Sequence, residues 1–105
     1  MTERRQAIRY YFGAIAEIID LNSRAELVSV TRNLSLSGCF VKTGTPFAQG
    51  TEVRVRITSS GADFGAIGKV TGLTPEGMGI EFTELQPNDR ALLEKWLGIG
   101  NVSPA

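Results

Sequence analysis

The sequence predicts a mainly β domain, a small six-stranded antiparallel β-barrel closed by one C-terminal α-helix. Three observations point there. Val53, Val55 and Ile57 alternate with Arg54, Arg56 and Thr58, and Met78, Ile80 and Phe82 alternate with Gly79, Glu81 and Thr83. That period of two belongs to strands with one buried and one wet face. Six short runs of this kind are separated by turn-forming segments. Helical spacing appears only at the end, where Leu92, Leu93, Trp96 and Leu97 make an apolar stripe. Six strands followed by one helix close best as a barrel, which removes the edges an open sheet would expose. With 105 residues the chain is one domain, long enough to bury a core without staples.

Taken in order, residues 1–13 are charged, then aromatic, and are expected to form an N-terminal arm, loose over its first nine residues. The barrel is expected over residues 14–83. Its first strand runs from Ala14 to Leu21, with Asn22-Ser23 as the turn. Glu26 to Thr31 is the second, rich in β-branched residues. Asn33 to Gly38 carries turn chemistry, and Cys39 to Lys42 resumes extended structure. A loop containing Pro46 follows. Val53 to Thr58 is the clearest strand. Phe64 to Leu73 is another, made thin or bulged by Gly65, Gly68 and Gly72. Thr74-Pro75-Glu76-Gly77 turns the chain into the last strand, Met78 to Thr83. The helix is expected over residues 86–97: Pro87 suits its first turn, Asp89 complements the macrodipole and Gly98 stops it. Trp96 is expected to plug an open end of the barrel, with residues 99–105 as a tail.

Composition narrows the function. Eleven basic residues balance eleven acidic ones, so a general nucleic-acid binder with a basic excess is not expected and any anion site must be local. The chain contains no histidine, which removes histidine general-base chemistry and histidine metal ligands. Together with the absence of paired acids at a useful spacing and of a phosphate-binding loop, this argues against an enzyme; no cofactor and no metal are expected. The single cysteine, Cys39, forms no intramolecular disulfide and reads as a small core residue. No apolar run reaches the roughly 18 residues a membrane span needs, and the polar N-terminus lacks a signal-peptide core, so a soluble cytoplasmic protein without membrane insertion is expected.

Two short motifs remain. Arg5-Gln6-Ala7-Ile8-Arg9 puts two permanent cations on the arm. A guanidinium suits phosphate bidentately and stacks on flat rings. Helical, the two would share a face; extended, roughly 13 Å would separate them. By itself such a pair is usually a solvated basic segment. The second motif is Asn33-Leu34-Ser35-Leu36-Ser37-Gly38. Asn33 can read a purine edge or brace a turn, and Ser35 can donate to a phosphate or satisfy local backbone groups. Gly38 permits positive φ and close approach of a ligand.

In this order, and with the Val53–Ile57 strand, the Gly77-Met78-Gly79-Ile80-Glu81-Phe82 segment and the closing helix behind them, the motifs resemble those of the PilZ domain family over roughly residues 4–98. In that family the first motif is an arginine pair and the second begins with Asp or Asn. The resemblance implies a receptor for cyclic di-GMP, held on the outside of the barrel with the arginine arm folded over it. Arg5 and Arg9 would then engage phosphates and guanines, and Asn33, Ser35 and Gly38 would line the wall. Arg4, a third cation just before the pair, joins that set because the family's residue there also lies near the ligand. An arm that orders on binding would signal to a separate protein partner, with motility, pilus function, adhesion or polysaccharide production as the output. The main alternative is a ligand-independent PilZ-like interaction module, such as a type IV pilus assembly factor, although such members typically lack both motifs. A third reading, a small barrel binding single-stranded nucleic acid, would need a basic groove with aromatic platforms; Arg54 and Arg56 are offset by Glu52 and Glu81.

Overall fold

A computed structural model describes residues 10–98 of the chain. A two-residue strand β1 (Tyr10–Tyr11) leads into β2 (Ile15–Asp20), β3 (Glu26–Leu34), β4 (Gly38–Lys42), β5 (Glu52–Ser59), β6 (Ala62–Thr74) and β7 (Gly77–Glu84), and helix α1 (Pro87–Trp96) ends the fold. Every pairing is antiparallel. The order β3-β2-β5-β6-β7-β4 returns to β3 through the β3–β4 pair, so the expected six-stranded barrel closes, and β1 lies against β3.

Alternation builds the interior. Val53, Val55 and Ile57 of β5 are fully buried, as are Ile18 of β2, Leu34 of β3, Val41 of β4, Phe64 of β6 and Met78 of β7. Each such side chain contributes roughly 1.5–3 kcal/mol relative to staying exposed. Hydrogen bonds from the N–H groups of Asn22 and Ser23 to Asp20 tighten the β2–β3 turn and hold the Asp20 carboxyl below its ordinary value.

One end of the barrel is closed by α1. Leu93 is fully buried, and Trp96 stacks on Phe12 with ring centres 5.3 Å apart while tilting against Phe64 at 6.1 Å. Gly98 takes a left-handed φ of 76° and returns its N–H to the Lys95 carbonyl, which ends the helix as expected. Asp89 has a second use that its sequence position does not reveal. Gly65 lies on β6 before the first β6–β7 pair, Ile67 with Glu84, and its N–H donates to Asp89 Oδ1 at 3.0 Å. The helix thus satisfies a strand group that the neighbouring strand does not reach. Asp89→Ala is expected to lower stability by about 1.5 kcal/mol, the low end for a hydrogen bond to a charged group. Urea denaturation checks this; an unchanged midpoint would mean that apolar packing alone seats the helix.

Two expectations need correction. The arm was expected to run to residue 13, but Tyr10 and Tyr11 pair in register with Leu34 and Asn33, and Phe12 donates its N–H to the Arg32 carbonyl at 3.0 Å. Two residues are too few for a hydrophobic period to show, so backbone pairing and the Phe12–Trp96 stack decide the matter. The second strand also runs farther than Thr31: Asn33 and Leu34 belong to β3, with a bulge between Thr31 and Asn33. Only residues 35–37 form the connection to β4.

Candidate functional site

The two motifs were expected to meet on the barrel wall. Arg4, Arg5 and Arg9 lie outside the described residues. Their attachment point does not: Tyr10 is paired with Leu34, one residue from Asn33 and one from Ser35. Arg9 is bonded directly to Tyr10, and one Cα step is about 3.8 Å. The first motif is therefore joined, through Arg9, to a residue paired at the end of β3, where the second motif begins.

Within the second motif the residues divide. Asn33 faces outward, opposite Phe40 of β4 and Tyr11 of β1. Its side chain is half-buried and makes no hydrogen bond among the described residues. Among the described residues it does not brace the turn, and its donor and acceptor have no partner there. Ser35 is committed instead. It is buried, and its Oγ accepts from the N–H groups of Ser37 and Gly38, each at 3.2 Å, and approaches the Ser37 hydroxyl at 3.3 Å. The Ser35 N–H donates to the Gly38 carbonyl at 2.8 Å. The turn is also fastened to β7, where the Phe82 N–H donates to the Ser37 carbonyl at 2.8 Å.

Gly38 is needed for a reason other than positive φ, which in the described glycines occurs at Gly50, Gly61 and Gly98. It faces Glu81 across the β4–β7 pair, and a Cβ there would stand 2.1 Å from the Ile80 carbonyl oxygen. Close approach of two strands, not turn geometry, requires the missing side chain.

Next to this turn is a surface cavity of about 240 Å³, lined by Ser35, Ser37 and Gly38 together with Thr71, Gly79 and Glu81. Drug-sized ligands usually occupy pockets of about 300–1,000 Å³, so this one encloses only part of such a ligand. Asn33 does not line it but shares the face. A larger depression of about 420 Å³ lies beneath Tyr11 and carries Arg32 and Lys42, but no residue of the second motif. Arg32 is already engaged, with its guanidinium 5.3 Å from the Phe40 ring centre and an ion pair to Glu76 at 2.8 Å. Sequence reasoning passed over Thr71, Gly79 and Glu81. Their outward positions follow from strand alternation, but their proximity to Gly38 exists only once β4, β6 and β7 are side by side. Among the described residues no group of His, Cys, Asp or Glu could hold a metal ion, and no helix is long and apolar enough to cross a membrane.

The described residues thus form a closed six-stranded barrel, plugged by a helix and carrying a polar turn beside a cavity on its outer wall. The PilZ domain profile matches residues 3–98, and the chain belongs to the PilZ domain family. Solved structures agree in fold. The structure of the Bacillus subtilis inhibitor of motility, MotI/DgrA, superposes with a TM-score of 0.76 at 19% identity, covering 99% of this chain and 54% of that one. This chain thus spans about half the length of that protein. The PilZ domain of CeSA from a cellulose-synthesizing bacterium gives 0.72 at 17% identity over 89% and 98% of the two chains. The Escherichia coli YcgR PilZ domain with c-di-GMP gives 0.72 at 14% identity over 95% and 94%. No curated protein matches the chain significantly in sequence.

Proposed function

We propose that this chain is a cyclic di-GMP receptor whose arginine arm closes over a ligand held against the outer wall at Asn33–Gly38. The observation that carries the reading is the pairing of Tyr10 with Leu34, which roots the Arg5–Arg9 segment beside the second motif. The YcgR PilZ domain, similar in fold, was solved with c-di-GMP.

Charge supports a clamp. Of the eleven cations, Arg4, Arg5 and Arg9 fall in the first nine residues with a single acid, Glu3, so the remainder of the chain has eight cations against ten acids. A barrel of that sign does not attract a dianion, and the attraction has to come from the arm. A micromolar site needs about −8 kcal/mol, and one charge-assisted hydrogen bond contributes roughly 1.5–3 kcal/mol. Two arginines fall short after the arm has been ordered, so base contacts on the wall must supply the rest. Asn33, whose amide has no partner among the described residues, can supply one, while Ser35 acts by holding the turn in shape. The output is a disorder-to-order change of the arm read by a separate protein, with motility, pilus function, adhesion or polysaccharide production as the process controlled.

A second reading, a ligand-independent interaction module, is favoured by one observation. The outer face of β2 and β3 leaves Ile15, Val28 and Val30 between 41% and 64% exposed, an apolar surface suited to a protein partner. Isothermal titration separates the two: saturable heat with cyclic di-GMP supports the receptor, and none at any accessible concentration supports the interaction module.

A further inference from the structure

The geometry points to Glu81 as the residue that reads a guanine of the bound dinucleotide and so sets base specificity. The inference rests on the receptor reading above and deepens it. Among the described residues, Glu81 is the one ionisable side chain lining the cavity beside the Ser35–Gly38 turn. It projects from the outer face of β7, is exposed, and makes no hydrogen bond or ion pair among the described residues. Lys69 stands opposite it in the β6–β7 register, yet the two form no ion pair.

An unpaired carboxylate is a poor neighbour for phosphate, so the phosphates of a dianion belong with the arm. The same carboxylate is a good partner for guanine. The Watson–Crick edge of guanine presents N1–H and N2–H₂ side by side, and a carboxylate accepts both in a bidentate, charge-assisted pair. Adenine offers a single donor there, N6–H₂, beside a lone pair at N1, so the carboxylate loses the bidentate pair and faces a lone pair in place of the second donor.

The floor beside Glu81 suits a flat base. Gly79 of β7 stands opposite Gly72 of β6, and a bulge intervenes between Val70 and Gly72. A Cβ at Gly72 would meet nothing within 4 Å, and one at Gly79 would meet only ordinary contacts beginning at 3.8 Å. Neither glycine is enforced by crowding, in contrast to Gly38. Gly79, which lines the cavity with Glu81 and Gly38, leaves bare backbone there, and Gly72 across the β6–β7 pair adds no side chain beside it. A purine can lie on such a floor with its donor edge toward Glu81.

The test is calorimetric titration of the full chain with cyclic di-GMP and with cyclic di-AMP, for the unsubstituted protein, Glu81→Gln and Glu81→Asp. Glu81→Gln keeps shape but loses the charge and one acceptor. It is expected to weaken cyclic di-GMP binding by about ten- to hundredfold, the usual discrimination of one bidentate base contact, while leaving the weaker cyclic di-AMP binding unchanged or tighter. Glu81→Asp keeps the carboxylate and is expected to recover part of the preference for guanine. Circular dichroism confirms that the variants are folded. Unchanged or tighter cyclic di-GMP binding by Glu81→Gln would overturn the assignment, as would an equal loss for both dinucleotides. If the unsubstituted protein bound no cyclic di-GMP, the receptor reading itself would fall, and this inference with it.

Discussion

Gly38→Ala is expected to destabilise the barrel by about 2–3 kcal/mol, the upper part of the usual range for forcing atoms into a filled site, and to impair ligand binding along with it. The added Cβ would lie 2.1 Å from the Ile80 carbonyl oxygen and 3.2 Å from the Glu81 Cα. Both are backbone atoms, so no side chain can swing aside to relieve the contact. Strand β4 would have to move away from β7 at the pair Gly38–Glu81. It cannot move alone, because the Gly38 N–H is held by Ser35 Oγ, its carbonyl by the Ser35 N–H, and the adjoining Ser37 carbonyl by the Phe82 N–H. Any shift therefore loosens hydrogen bonds on both sides of the turn and opens the seam that closes the barrel. Urea denaturation gives the stability change. Gly44→Ala is the control: a Cβ there would meet nothing within 4 Å, and the change is expected to stay within about 0.5 kcal/mol. Equal effects at the two positions would show that close strand approach is not what requires Gly38.

Arg9→Ala is expected to weaken cyclic di-GMP binding by about ten- to hundredfold, the equivalent of one charge-assisted hydrogen bond. Arg9 adjoins Tyr10, and the pairing of Tyr10 with Leu34 fixes where the segment leaves the barrel. Among the three cations of the first nine residues, Arg9 is the one nearest in sequence to Tyr10. Arg5 is attached through a longer stretch, and loses more in being ordered when it binds. Arg9→Lys is expected to recover only part of the affinity, since an ammonium keeps the charge but lacks the planar fork and the stacking face. Raising the salt concentration should weaken the unsubstituted protein more than Arg9→Ala, because screening acts on the charge that the substitution removes. Titration calorimetry at two ionic strengths measures both effects. Unchanged affinity in Arg9→Ala would place the ligand somewhere other than under the arm.

Strand alternation made most of this fold readable. Val53–Thr58 and Met78–Thr83 carry their inward and outward faces in the residue types themselves, and the structure extends each by only a residue or so at its ends. The helix was legible from Pro87, Asp89 and Gly98, each of which has a specific local task. What escaped sequence reasoning depends on partners distant in the chain. Asn33 looked like a turn residue because asparagine favours turns, but pairing with Tyr11 and Phe40 draws it into β3. Gly38 invited an explanation by backbone freedom, and the actual constraint is the approach of β7. Asp89 announced a helix start and also satisfies Gly65 on β6. Glu81 read as an outward strand residue and as a charge offsetting Arg54 and Arg56, not as a site residue. Its place beside the Ser35–Gly38 turn appears once the barrel has closed.

The central claim is that cyclic di-GMP sits on the outer wall at the Asn33–Gly38 motif, where the chain bearing Arg5 and Arg9 is rooted. Amide chemical shifts of isotopically labelled protein, followed while cyclic di-GMP is added, test it most directly. The account predicts saturable shifts concentrated at residues 4–11, 33–38, 71–72 and 79–81, with the interior positions of β5 unaffected. Shifts confined to the depression around Ile15, Val30 and Lys42, or no shifts at all, would contradict it.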